Sequence, residues 1–258
     1  MPDTGYGSPM FMRACSVVAA YRELDVPGPR GFWRRLLAGS PLLMWYRLCL
    51  PSIGIRPTAS PAGRMIGEHL AIRWERRWKF RRAQAVLLIP AEFSQYLRGR
   101  HRQAVRTNVT RARNAGLTVE HETVEEWEPG SGDFRVAHIT PGPVERWNVM
   151  EPDGKIVAQA ILSVDGDVAL LHGLMSTAVH ARWMLHTAIV ERLCGSSRVL
   201  LVNCDDAYLL APGTLHFQRL LGYSVARLRL PRFSVVLPKR SRELLAPNRA
   251  EPQEAPGI

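Results

Sequence analysis

The chain has 258 residues, of which 46% are hydrophobic, and a formal net charge of +11. This length supplies enough apolar material for one large domain or two small ones, and either would fold by burial alone. The four cysteines, Cys15, Cys49, Cys194 and Cys204, are scattered without a C-x-x-C pair or a metal-ligand spacing, which indicates reduced thiols in a cytoplasmic protein and no metal site.

The N-terminal part shows no secretory signal and no membrane span. Its most hydrophobic stretch, residues 36–55, contains Arg47 and the helix breakers Pro41 and Pro51, which make a bilayer crossing costly and leave surface attachment as the minor alternative. The pattern predicts a helix at 31–38 and, from imperfect alternation, a strand at 69–78. A continuous apolar run at 85–89, ended by Pro90, predicts a buried strand.

The next segment, residues 91–115, predicts one helix that ends before Gly116. Arginines form a ridge beside its apolar face: Arg98, Arg102, Arg106 and Arg113. Residues 64–113 hold thirteen Lys or Arg against three acids, and residues 120–133 then hold six acids and no Lys or Arg. Such a patch favours a polyanionic partner such as RNA, a nucleotide or a phospholipid head group, and a solvated arginine-rich surface is the alternative.

The C-terminal part alternates strands and helices. We predict a strand at 117–124, a loop at 129–143, a hairpin of strands 155–164 and 168–175 around Asp165-Gly166-Asp167, a helix at 181–193, a buried strand at 199–202, a helix at 214–221 closed by Gly222, strands at 223–230 and 233–237, and a disordered tail at 239–258. This order predicts an α/β (α+β) fold with a mixed sheet.

Two segments resemble the Fem-type aminoacyltransferases, a tRNA-dependent family with the GNAT acyltransferase fold. Residues 96–117 are similar to the family's basic helix, R-x-N-x-x-R-A-x-x-x-G, with the matching positions Arg106, Asn108, Arg111, Ala112 and Gly116. Residues 213–223 are similar to its short C-terminal helix. Phe217 and Gly222 match there, whereas Gln218 stands where a Lys is expected and Arg219 follows one step on.

The resemblance implies a GNAT-like mixed sheet flanked by helices. Its core would span residues 91–238 with the basic helix 91–115, after a reduced N-terminal lobe at 1–90 and before the tail 239–258. It also implies a tRNA-binding surface made of arginines: Arg98, Arg102, Arg106, Arg111, Arg113 and Arg219.

In a core of this kind a splayed strand pair opens a cleft, and backbone N–H groups there face the reacting carbonyl. By analogy, this oxyanion and donor cleft comprises His172, Gly173, Leu174, Met175 and Asn203. Gly173 inside a strand indicates a bulge or close ligand approach, or else a simple packing glycine. CoA-dependent relatives place a glycine loop at the start of the next helix, but residues 176–183 contain no glycine. The donor expected here is therefore aminoacyl-tRNA, with no cofactor, and acyl-CoA is the alternative.

Polar residues at the end of the 199–202 strand and on the following helix are the catalytic candidates: Asp205, Asp206, Tyr208 and His216. The carboxylates would orient an incoming ammonium, and Tyr208 or His216 would relay a proton to the leaving hydroxyl. Helix capping or loop solvation is the alternative role for the two aspartates. The resulting hypothesis is a monomeric enzyme that moves an amino acid from tRNA to the amine of a small peptide or peptidyl-nucleoside, for cell-wall or antibiotic synthesis. It has no DNA partner, and a non-catalytic RNA-binding protein is the second alternative.

Overall fold

A computed structural model of the chain describes residues 8–15, 48–71, 83–127, 141–195, 199–207 and 210–230. Residues 9–15 are helical. The other elements, in chain order, are β1 (Ser52–Gly54), α1 (Pro61–Ala71), β2 (Ala83–Leu88), α2 (Phe93–Tyr96), a 3-10 turn (Arg100–Arg102), α3 (Gln103–Asn114), β3 (Thr118–Trp127), β4 (Gly142–Met150), β5 (Ile156–Asp165), β6 (Val168–Ser176), α4 (Ala181–Leu193), β7 (Leu200–Asp206), α5 (Pro212–Leu221) and β8 (Ser224–Arg229).

The strands form one eight-stranded sheet in the order β1-β8-β2-β7-β6-β5-β4-β3. The pairs β1–β8 and β6–β7 are parallel, and the other neighbours are antiparallel. Helices flank this mixed sheet, so the predicted α/β class is confirmed. The tight hairpin between β5 and β6 is also confirmed, with Gly166 in the left-handed region at φ 58°.

Each face of the sheet carries its own core, because successive side chains of a strand point to opposite sides. On β6, Ala169 and Leu171 pack into the core beneath α3, α4 and α5, whereas Val168 and Leu170 pack on the opposite face with Ile66 of α1. Fully burying a side chain of the size of Ile66 contributes about 1.5–3 kcal/mol, so α1 is a firmly packed cover for that face.

The residues that lead into α1 are hydrogen-bonded to one carboxylate of the β5–β6 hairpin. Asp165 accepts hydrogen bonds from the Thr58 backbone N–H at 2.6 Å, the Thr58 hydroxyl at 2.7 Å and the Ser60 hydroxyl at 2.8 Å. Ser60 Oγ in turn accepts from the Gly63 N–H at 2.9 Å, which satisfies one of the free donors at the helix start. Asp165 therefore fixes α1 over the sheet.

The division into a reduced lobe at 1–90 and a core at 91–238 stays a prediction. Two strands of the first segment, β1 and β2, belong to the same sheet as the later strands, and β2 lies between β8 and β7. The physical reason is that β2, except for Gln84, is apolar and, except for Leu88, is buried along its whole length, as suits an interior strand.

Three sequence predictions differ from the structure. The helix expected over 91–115 is interrupted at Gly99, whose φ of 90° is incompatible with a helix, so that only α3 is a long helix there. His69 and Ala71, expected in a strand at 69–78, end helix α1, and the rest of that segment lies outside the described residues. Strand β4 begins inside the loop expected at 129–143.

Several predictions lie outside the described residues: the helix at 31–38, the strand at 233–237 and the tail at 239–258. Within the described part of the chain, no helix is long and apolar enough to cross a membrane.

Candidate functional site

The parallel strands β6 and β7 separate at their carboxyl ends. They pair from Val168 with Leu200 as far as Leu171 with Asn203, and the pairing stops there. Beyond this point β6 continues against β5 up to Ser176, and β7 continues toward β2 up to Asp206. The backbone pairing of these two strands therefore ends where the splay was expected, and we call the region between the two strand ends beyond this point the opening.

A bulge in β6 marks the point of separation. Leu162 pairs with Leu171 and Ile161 with Gly173, so His172 is the extra residue on β6. Bulges bend a strand and raise its twist, which turns the end of β6 away from β7. Of the roles expected for Gly173, the bulge is present, and it lies where the pairing of β6 with β7 ends.

The ring of His172 lies in a buried polar cluster on the α1 face, below the opening. Its Nε2 lies 2.8 Å from the Ser163 hydroxyl, and its ring centroid lies 5.1 Å from that of Trp127. Burial, with the neighbouring His69 as a second cause, lowers the pKa of His172 to about 3, so the ring is neutral at physiological pH. Nδ1 of His172 has no hydrogen-bond partner among the described residues.

Cys204 links the two strands where their backbone pairing has ended. Its thiol donates to the His172 carbonyl at 2.8 Å, and the Cys204 carbonyl accepts from Nε2 of His69 at 3.1 Å. Because a carbonyl only accepts, Nε2 of His69 carries the proton. The thiol is thus a buried structural donor at the base of the splay.

The predicted cleft residues lie on the two sides of this opening. Gly173, Leu174 and Met175 follow the bulge on β6, and Met175 is 42% exposed. Asn203 is the last β7 residue paired with β6, and its side-chain oxygen accepts from the Asp205 N–H at 2.9 Å. His172 contributes its backbone to the cleft, since its ring is turned toward α1.

The predicted catalytic residues are only partly brought together. Asp205 is exposed on β7 beside the opening. Asp206 ends β7, where its backbone is in register with Gln84 of β2. His216 is exposed on α5, and Tyr208 lies outside the described residues.

The two segments that resemble Fem-type enzymes pack against each other through Arg102. Its guanidinium lies 4.7 Å from the centre of the Tyr96 ring and donates to the Leu220 carbonyl at 3.0 Å. Gly222, at φ 82°, lies so close to this guanidinium that a Cβ would collide with it. Arg102 is only 9% exposed, so its predicted outward position on an arginine ridge is wrong. The break at Gly99 places it in the turn before α3, where burial against α5 becomes possible.

His186 is a second buried polar group, close to Arg102 and Tyr96. His186 of α4 lies 2.9 Å from the Tyr223 hydroxyl, and burial lowers the pKa of His186 to about 3, with Arg102 as a further cause. Burial also raises the pKa of Tyr96 above its ordinary value, although Arg102 opposes the shift. These groups are therefore neutral packing elements between α2, α4 and α5.

The other predicted arginines are exposed: Arg98, Arg106, Arg111, Arg113 and Arg219. The Arg106 guanidinium donates to the carbonyls of Leu97 and Gly99, so it closes the end of α2 while staying accessible. No ion pair to an acid involves these five within the part of the chain that the structure describes. Their charges face solvent without neutralisation.

His180 is a polar residue beside the opening that the sequence predictions did not include. It precedes α4, which follows β6, and its Nδ1 lies 2.8 Å from Asn108 Oδ1 on α3. Asn108 belongs to the R-x-N-x-x-R-A motif, and an asparagine inside a helix is itself a signal of a side-chain contact. Only the fold brings residues 108 and 180 together.

Within the described residues, no group of three or more His, Cys, Asp or Glu side chains is placed to hold a metal ion. No protein-family model matches the chain, and neither does any curated protein.

Among solved structures, the chain is similar to a conserved protein of unknown function from Bacteroides thetaiotaomicron at 13% identity and a TM-score of 0.39, over 57% of this chain and 60% of that one. It is similar to the C-terminal domain (DUF2156) of a proposed lysylphosphatidylglycerol synthetase from Agrobacterium fabrum, at 15% identity and a TM-score of 0.37, over 56% and 58%. It is also similar to L-PGS from Bacillus licheniformis, at 10% identity and a TM-score of 0.35, over 57% and 60%. The chain thus spans about three fifths of each of these chains.

Proposed function

We propose that this chain is an aminoacyltransferase that moves an amino acid from aminoacyl-tRNA to the free amine of a peptide or of a peptide-containing metabolite. The observation that carries the proposal is the end of the β6–β7 backbone pairing at Leu171 and Asn203, together with the bulge at His172. Beyond Leu171, backbone groups of β6 on the side of β7 are released from sheet pairing. Fixed backbone donors at an opening are suited to an oxyanion that develops on an ester carbonyl.

The charges around the opening favour a nucleic-acid donor. Arg111 and Arg113 are exposed on α3, which packs beside α4, and Arg98 is exposed just before the break at Gly99. These cations attract phosphates through counterion release. Residues 176–183 contain no glycine, and His180 before α4 is in the right-handed helical region, so the glycine-rich turn that lets backbone amides close on a pyrophosphate is absent there.

Acyl-CoA remains the second candidate donor because of one observation. Helix α4 begins directly after β6, beside the opening, and the free N–H groups of a helix start bind phosphate even without glycine. Both donors present an activated carbonyl to a neutral amine, so the acceptor chemistry is the same in either case.

The donor is tested with purified protein, a dipeptide acceptor, bulk tRNA, ATP, synthetases and a mixture of amino acids, with the product followed by mass spectrometry. We expect transfer that stops when RNase is added before the acceptor. A parallel reaction contains acyl-CoA and no RNA, and a third replaces the dipeptide by phosphatidylglycerol vesicles. Turnover with acyl-CoA alone, insensitive to RNase, would contradict the tRNA donor, and transfer only to the lipid would contradict the amine acceptor.

A further inference from the structure

The side chain of His180 is held in a defined orientation next to the opening. It precedes α4 but makes no capping hydrogen bond to the helix, and its Nδ1 contacts Asn108 Oδ1 at 2.8 Å instead. The Asn108 amide is itself oriented, because its Nδ2 donates to the Ala104 carbonyl at 2.8 Å. Its oxygen therefore faces His180.

This contact fixes the tautomer of the ring. An amide oxygen only accepts hydrogen bonds, so Nδ1 of His180 must carry the hydrogen. In the neutral ring, Nε2 then bears the lone pair and is the basic atom. Among the described residues Nε2 makes no hydrogen bond, and the residue is half-buried, so the basic atom is available to a ligand.

The backbone before His180 is also anchored at the carboxyl end of β6. The Thr177 N–H donates to the Val157 carbonyl at 2.9 Å, and the Ser176 hydroxyl donates to the Ala178 carbonyl at 2.6 Å. His180 lies four positions after Ser176, so its Cα atom is within about 14 Å of the Ser176 Cα atom at the end of β6. Bound ligands in sheets with parallel strands lie in the crevice at this end.

We propose that His180 is the proton acceptor of the transfer reaction, with Asn108 as the residue that positions it; the inference rests on the proposed function. The acceptor nitrogen attacks the ester carbonyl, a C–N bond forms, and its proton passes to Nε2 of His180. The bond from the carbonyl carbon to the ribose oxygen breaks, and the same proton passes from Nε2 to that oxygen. Atoms and charge balance without a further reactant.

The charged groups on α3 and in the first turn of α4 are cations: Arg106, Arg111 and Arg113 on α3 and Arg182 on α4. The last turn of α4 carries Glu191 and Arg192, and Lys155 before β5 follows the acids Glu151 and Asp153. No Asp or Glu lies on α3 or in the first turn of α4. A carboxylate introduced at position 108 would be the first acid on these two helix segments, and it would favour the protonated ring.

The test compares H180Q, N108A and N108D with the wild type by steady-state kinetics from pH 6 to 9, and H101Q, at an exposed histidine, serves as the control. We expect H180Q to lower kcat about 100-fold to 1,000-fold with little change in KM for the donor. N108A should lower kcat about 10-fold. N108D should move the acid limb of the kcat profile about one unit to higher pH, because an adjacent carboxylate stabilises the imidazolium. H101Q should behave as the wild type.

If the hydrogen bond between His180 and Asn108 were only structural, the kinetics would differ. H180Q and N108A would then have equal effects, and the profile of N108D would not move; either result overturns the proposal. Should H180Q not fold, ¹⁵N NMR of the wild type decides the tautomer, and a hydrogen on Nε2 rather than Nδ1 overturns it as well. Wild-type protein that is inactive with charged tRNA and with acyl-CoA overturns the proposed function and this inference together. An active wild type with an unimpaired H180Q overturns only the role of His180.

Discussion

The contact between Gly222 and Arg102 predicts a large cost for one added methyl group. Gly222 follows α5 at φ 82°, in the left-handed region, and a Cβ there would collide with the Arg102 guanidinium. G222A therefore does two things. It places a side chain in an unfavourable backbone conformation, and it forces the buried guanidinium away from Tyr96 and from the Leu220 carbonyl.

The two effects have separable magnitudes. An alanine in the left-handed region costs about 1–2 kcal/mol. Loss of a hydrogen bond to a charged group costs about 1.5–3 kcal/mol, and loss of the contact with the Tyr96 ring about 0.5–1 kcal/mol. G222A should therefore lower the free energy of unfolding by about 3–6 kcal/mol.

Urea unfolding followed by circular dichroism measures this value. Gly154 provides the matched control, because its φ of 86° is nearly the same and nothing lies within 4 Å of a Cβ there. We expect G154A to cost only the conformational part, about 1–2 kcal/mol. In an R102A background, G222A should cost no more than G154A. Equal costs of G222A and G154A in the wild-type background would refute the packing described for Arg102.

Three further predictions follow from other contacts. Because burial lowers the pKa values of His172 and His186 from 6.5 to about 3, each ring is protonated in the unfolded chain below pH 6.5 but not in the folded one. The stability that each neutral histidine contributes is therefore fully present above pH 6.5 and is lost as the pH falls toward 3. Between pH 7 and pH 5 the free energy of unfolding should fall by about 2 kcal/mol for each histidine. Equal urea midpoints at these two pH values would contradict this. D165A removes three hydrogen bonds that hold α1 and should cost about 3 kcal/mol, whereas D153A, which loses one exposed bond to the Lys155 N–H, should cost under about 1 kcal/mol in the same assay. R111A and R113A should each reduce the slope of log K against log salt concentration for tRNA binding by about one unit. R102A should leave that slope unchanged and lower the free energy of unfolding. A slope change for R102A in filter binding would show that Arg102 contacts phosphate.

Much of the fold could be predicted from periodicity and turn chemistry. The hairpin at Asp165-Gly166-Asp167, the helix at 181–193 and the closure of α5 by Gly222 are local signals, and the structure has all three. Such features depend on residues close in sequence, which a pattern can capture.

The place of β2 in the sheet could not be predicted in this way. An apolar run indicates a buried strand but not its neighbours, and β2 pairs with β7 and β8, more than a hundred residues later. The same limit explains Arg102. On an uninterrupted helix it would face solvent, but Gly99, at φ 90°, interrupts the helix and reorients the following turn, which places the guanidinium against α5.

Only part of the candidate site could be predicted, because its other contacts join residues that are far apart in the sequence. The splay was expected from the family resemblance and the bulge from Gly173; the structure has the bulge, and the pairing of β6 with β7 ends beside it. The contact of Asn108 with His180 joins residues 72 positions apart, on two helices whose packing no local pattern specifies. Exposed residues such as Asp205 and His216 carry no packing signal, so sequence indicates their chemistry but not their mutual placement.

The most direct test of the central claim is a single-turnover reaction with enzyme in excess over purified aminoacyl-tRNA, in the absence of ATP and synthetases. The amino acid is radiolabelled, the acceptor is a dipeptide, and the amide product is separated from free amino acid at each time point. We predict that label passes from tRNA to the dipeptide amine in a single exponential phase, and that an acyl-CoA under the same conditions yields no product. Label that is released only as free amino acid, or an amide formed from acyl-CoA and not from tRNA, would contradict the account.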